Sequence, residues 1–209
     1  MGTSTHRRAL FCACIYLLGA AERFALADAA DTGVPLCLIV ENNAHVPDDV
    51  LDGARKHVER IYRQAGIEII WLVRNNLSAE EPDLPRVPQL TVVIVPECIS
   101  PSSCRDVTVT GTAIGSDGKG AWRAYVFWKR VLTMARIVKN AMPLPYPESL
   151  ILGHAIAHES GHVLLPVGHT KSGLMAAQMD AMAIQIAIRG KLLFLPEQAA
   201  RMRRILAGQ

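Results

Sequence analysis

The sequence lacks the marks of several classes of protein. Charge of one sign is not concentrated anywhere: 22 basic and 19 acidic residues leave a formal net charge of +3, and no basic run tracks along the chain as a nucleic-acid footprint would. Nucleic acid is therefore not an expected partner. A membrane helix needs roughly 20 apolar residues in a row, and the apolar run from Ala9 to Ala21 stops short of that at Glu22 and Arg23. There is no internal repeat, no low-complexity tract and no linker between domains. Cysteine is sparse, with five in 209 residues.

What is present begins with a leader. His6-Arg7-Arg8 forms a basic segment, the run from Ala9 to Ala21 follows, and Ala25-Leu26-Ala27 has the small-x-small form of a cleavage site. This order predicts a signal peptide over residues 1–27 and export to a secreted or periplasmic location; the other reading is an uncleaved N-terminal helix. Cleavage after Ala27 removes Arg7, Arg8, Arg23 and Glu22, so that 19 basic face 18 acidic residues in a mature chain of 182, residues 28–209. Half of all residues are hydrophobic (50%), and that length suits one domain with a sizeable core. Three cysteines remain. Cys98 and Cys104 flank the turn-rich Ile99-Ser-Pro-Ser-Ser103, which predicts a disulfide between them. Cys37 lies inside Leu36-Cys-Leu-Ile-Val40 and reads as a buried small hydrophobe.

Periodicity predicts an α+β domain with a twisted mixed sheet and packed helices. Strands are expected over Leu36 to Glu41, Glu68 to Val73 and Leu90 to Val95. An amphipathic helix is expected from Asp48 to Ala65, entered through Pro47 and closed by Gly66. The acidic, proline-rich stretch from Leu77 to Pro88 reads as solvated loop. Gly111 to Gly115, the glycine-rich segment to Gly120, and Ala124 to Trp128 read as a hairpin. A connecting helix is expected over Lys129 to Ala141, a second over residues 147 to 165, a third from Ala176 to Ile188, and a last from Pro196 to Leu206 with Arg201, Arg203 and Arg204 on its exposed side.

The chemistry concentrates in His158-Glu159-Ser160-Gly161-His162. On a helix, residues four apart share a face, so His158 and His162 can hold one ion between them. Five residues of this form occur by chance, but four of the seven histidines lie between positions 154 and 169, and an apolar helix has no structural need of them. A catalytic zinc usually takes three protein ligands. His169 is the expected third, reached where Pro166 ends the helix and Gly168 lets the chain turn. Asp180 is the alternative. Glu159 is then the expected general base, taking a proton from a water that Zn2+ activates. His154, one turn before His158, reads as a supporting or surface residue.

His158, Glu159, His162 and His169, with Ser172-Gly-Leu-Met175 just beyond, resemble the metzincin clan of zinc endopeptidases. That pattern is H-E-x-x-H-x-x-G-x-x-H followed by a methionine-containing turn under the metal. This chain departs from it at Leu165, where the clan has glycine, and its third histidine comes one residue late. The resemblance implies a peptide or protein substrate, hydrolysis of peptide bonds, a small helical C-terminal subdomain below the cleft, and an edge strand near Gly111 that binds extended substrate by strand addition. Two other functions remain open: a non-catalytic zinc-binding or interaction module on the same fold, against which Glu159 argues, and a hydrolase of small amides or cell-wall peptides.

Overall fold

An unbroken apolar run such as Leu36 to Val40 is stable as a strand only where both of its faces are covered. In the computed structural model, which describes residues 33–74, 84–99, 110–114, 123–165 and 168–208, those five residues are all buried at the centre of β1 (Val34–Asn42). The other strands are β2 (Ile67–Arg74), β3 (Gln89–Val95), β4 (Gly111–Ile114) and β5 (Arg123–Phe127), and the sheet runs β2-β1-β3-β5-β4. β1 pairs in parallel with β2 and β3, and β3 in parallel with β5, whereas β4 runs antiparallel to β5 at the edge. The sheet is mixed, as expected. Alternation divides its two faces: Leu36, Leu38, Val40, Leu90, Val92, Ile94, Ala124 and Val126 join the main core, while Cys37, Ile39, Val93 and Phe127 are buried on the other face. Cys37 is a free, buried thiol whose pKa burial raises.

The helices follow from their apolar spacing. α1 (Asp48–Gln64) buries Leu51, Ala54, Val58, Ile61 and Tyr62, a stripe with helical period. It stops where Gly66 takes a φ of +72°, a conformation that other residues reach at a cost. α2 (Trp128–Ala141) follows β5 directly and buries Val131, Ala135 and Val138. α3 (Pro147–Leu164) begins with proline at a first-turn position, where its missing N–H costs nothing. Of its 18 residues 14 are buried, so this helix, apolar nearly all round, is the central one. It is tied to α1 by Tyr62, whose buried hydroxyl lies 2.7 Å from Ser160 Oγ. Ser160 in turn donates to the Ile156 carbonyl.

Two expectations are corrected here. The helix expected from Ala176 begins only at Ala181: α4 spans Ala181–Ile188. Asp180 adopts an extended backbone and accepts a hydrogen bond from Ala183 N at 2.8 Å, the behaviour of an N-cap, which starts a helix and cannot lie inside one. In α5 (Pro196–Leu206) Arg201 and Arg204 are exposed, but Arg203 is half-buried and donates to the Ala65 carbonyl at 2.6 Å. It thereby supplies one of the partners that carbonyls at the end of α1 lack. Gly33–Gln209 forms one compact unit. Among the described residues, no helix is long and apolar enough to cross a membrane. The leader, Cys104, the loop over residues 75–83, Gly115 to Gly120 and Pro166 lie outside the described residues.

Candidate metal centre

α3 presents His158 and His162 on one side, four residues apart, and the segment after it brings His169 back to them. His162 Nε2 lies 3.1 Å from His158 Nε2 and 3.1 Å from His169 Nε2. Ligand atoms of the three residues all fall within 4.8 Å of one another. The His162 ring stands edge-on to both of the others, at 81° and 85°. One extra residue before His169 is thus absorbed in the connection, and Leu165, where the clan pattern has glycine, is buried in the core.

The donor set fits zinc. His158 Nδ1 lies 2.8 Å from the Leu174 carbonyl oxygen, which can only accept, so Nδ1 carries the proton and Nε2 keeps its lone pair. Burial lowers the His158 pKa, which favours the neutral, ligating form. A single proton on His162 Nε2 could serve only one of its two 3.1 Å neighbours, whereas a cation between all three serves every lone pair. Ligands about 2.0–2.1 Å from a tetrahedral zinc lie roughly 3.4 Å apart, close to the separations seen.

Leu174 is a participant that sequence reasoning missed. It acts through its backbone carbonyl, so its side chain gives no signal. The turn that carries it is nonetheless well braced: Leu174 N donates to Leu193 O at 2.8 Å, and Thr170 N to Met175 O at 2.9 Å. Met175 is buried beneath α3 against Gly161, at the place the methionine-containing turn was expected.

Glu159 is 5% exposed, and burial pushes its carboxyl up to about 8. A dication held by the adjacent histidines would pull that value down. Among the described residues the carboxylate has no hydrogen-bond or ion-pair partner. It opens with the three histidines on a cavity of about 400 Å³, bordered by Thr110 to Ala113 of the edge strand on one side and by Met179, Ala183 and Leu192 on the other.

Two residues of the motif region lie elsewhere. Asp180 caps α4 and is not in the histidine cluster. His154 is neither a surface residue nor a partner of the three: it is fully buried, its Nδ1 lies 2.8 Å from the Leu150 carbonyl, and its ring faces His57 with centroids 5.7 Å apart. The apolar α3 buries every side, so one turn of offset from His158 carries His154 into the α1 contact.

No family model matches the sequence, and no curated protein does. Among solved structures, archaemetzincin from Methanopyrus kandleri is similar with a TM-score of 0.54 at 16% identity, over 85% of this chain and 97% of that one. Metalloproteinase-II from Bacteroides fragilis is similar with a TM-score of 0.52 at 10% identity, over 86% of this chain and 55% of that one, so this chain spans about half of the longer protein. At such identities the likeness carries the fold, and the fold of this chain is archaemetzincin-like.

Proposed function

We propose that the chain is an exported zinc-dependent endopeptidase in which His158, His162 and His169 hold the metal and Glu159 is the general base. The observation that carries the reading is one cleft containing three converging imidazole nitrogens and the carboxylate of the largely buried Glu159, which has no partner among the described residues. That one structural relative is named a metalloproteinase supports it at the level of metal-dependent peptide hydrolysis. When bound, zinc supplies Lewis acidity that polarises a carbonyl and makes water easier to deprotonate. The chain's own residues do the rest. The Leu174 carbonyl holds the His158 ring in its tautomer. Glu159, with no partner of its own to compete, takes the proton of the attacking water and delivers it to the leaving amine. Among the described residues β4 pairs on one side only, with β5, an arrangement suited to adding the main chain of an extended peptide at its other edge.

Export rests on the leader, with a mature N-terminus near Asp28 and a disulfide between Cys98 and Cys104. Mass spectrometry and N-terminal sequencing of exported material test both; a product that keeps Met1, or free thiols at both cysteines after aerobic purification, would refute them. The activity is tested with a pool of fluorescence-quenched peptides. Cleavage that a strong chelator abolishes and added zinc restores is expected, and cleavage indifferent to chelation would overturn the reading.

A further inference from the structure

We propose that Gly111 is a positioning residue for Glu159, its missing side chain leaving the space in which the carboxylate is held against the edge strand. This rests on the reading of Glu159 as the base. No hydrogen bond fixes the carboxylate among the described residues, so its place is set by shape. The shape is given by β4. A Cβ built on Gly111 would meet the Tyr125 carbonyl oxygen first, and would stand 2.5 Å from Glu159 Cγ and 2.8 Å from Glu159 Cδ.

The strand cannot easily give way. Gly111 is in register with Val126, and one residue earlier the Thr110 carbonyl accepts from Phe127 N at 2.8 Å. Glu159, on the buried α3, has little room to retreat except into the cleft. Thr112 and Ala113 line the same cavity and do carry a Cβ, so the requirement for glycine is local to position 111. The side chain of Glu159 and the backbone of the strand beside the substrate are thereby held in one contact. Any larger residue must part them, either by driving the carboxylate out or by lifting β4 from β5.

The test is a cycle of four proteins: wild type, Gly111→Ala, Glu159→Ala and the double variant, each loaded with zinc. If the added methyl meets Glu159, Gly111→Ala lowers the Tm of the wild type by about 2–12 °C, and by clearly less once the Glu159 side chain is gone. An equal fall in both backgrounds, or failure of the single and double variants alike to fold, would assign the glycine to strand pairing alone and overturn the inference. Gly111→Ala that fails to fold while the double variant folds supports it. On peptides the wild type cleaves, folded Gly111→Ala should bind one zinc as the wild type does and keep its KM, while kcat falls roughly 100-fold, the scale of a 1 Å misplacement of a reacting group. Unchanged kcat would also overturn it. A wild type that cleaves no peptide would defeat the proposed activity instead, and the Tm cycle would still decide the contact.

Discussion

A carboxylate as buried as Glu159 is costly unless something holds it charged, and nothing among the described residues does. A cation on the neighbouring histidines would meet that need. His169 and Asp180 can be separated at this scale as well. His169→Ala should weaken zinc affinity severely, because the third nitrogen of the cluster is lost. Asp180→Ala should leave zinc affinity nearly unchanged and lower stability by about 1 kcal/mol through the lost N-cap. Competition with a zinc-binding dye and thermal unfolding read the two effects, and the reverse pattern would move the third ligand to Asp180. The convergence of His158, His162 and His169 was legible in the sequence because helical spacing and metal chemistry constrain residue type. The Leu174 carbonyl was not, since a backbone acceptor leaves no trace in residue identity. Nor was the part of Gly111, which depends on how closely an edge strand approaches a helix distant in sequence.

Among the elements, α3 contains two of the proposed metal ligands, His158 and His162, and a third, unrelated histidine. His154 is fully buried and its Nε2 has no hydrogen-bond partner among the described residues. Burial depresses its pKa to about 4 from 6.5, with smaller contributions in the same direction from His57 and Arg60 across the contact with α1. The group is therefore neutral in the fold and protonated in the unfolded chain between pH 6.5 and 4. Stability attributable to it is complete above pH 6.5 and declines as pH falls through that window, by roughly 3 kcal/mol in all. His154→Leu should flatten this slope. Denaturant unfolding of both proteins with zinc chelated, at pH 7 and at pH 4.5, checks it: the variant should gain on the wild type as pH falls, and parallel profiles would contradict the account. The elements themselves were largely legible, since β1, α1 and α5 follow period and cap signals. The stretch from Ala176 to Asp180 was not. Ala176, Ala177, Gln178 and Met179 are good helix formers by composition, yet the helix starts only after the Asp180 cap.

For the whole molecule, the edge strand β4, the central helix α3 and α4 all border the candidate metal centre, so metal occupancy should be linked to global stability. A ligand that binds only the folded state stabilises it by about 2.7 kcal/mol when present at 100 times its Kd. Stripping zinc should accordingly lower the Tm by several degrees, about 2–4 °C for each kcal/mol in a chain of this size, and restoring it should recover the loss. A Tm indifferent to zinc would show that the centre is not tied to the fold. Mixed α+β architecture could be read from the sequence because alternation and helical period are local. The strand order β2-β1-β3-β5-β4 could not, because pairing across the sheet is set by the packing of distant segments. Whether a histidine-bound zinc is served by a separate carboxylate base is decided by measuring zinc content and peptide cleavage on one preparation of Glu159→Ala. The prediction is about one zinc per chain, as in the wild type, with cleavage nearly abolished; a variant that cleaves at the wild-type rate, or that has lost its metal, would contradict it.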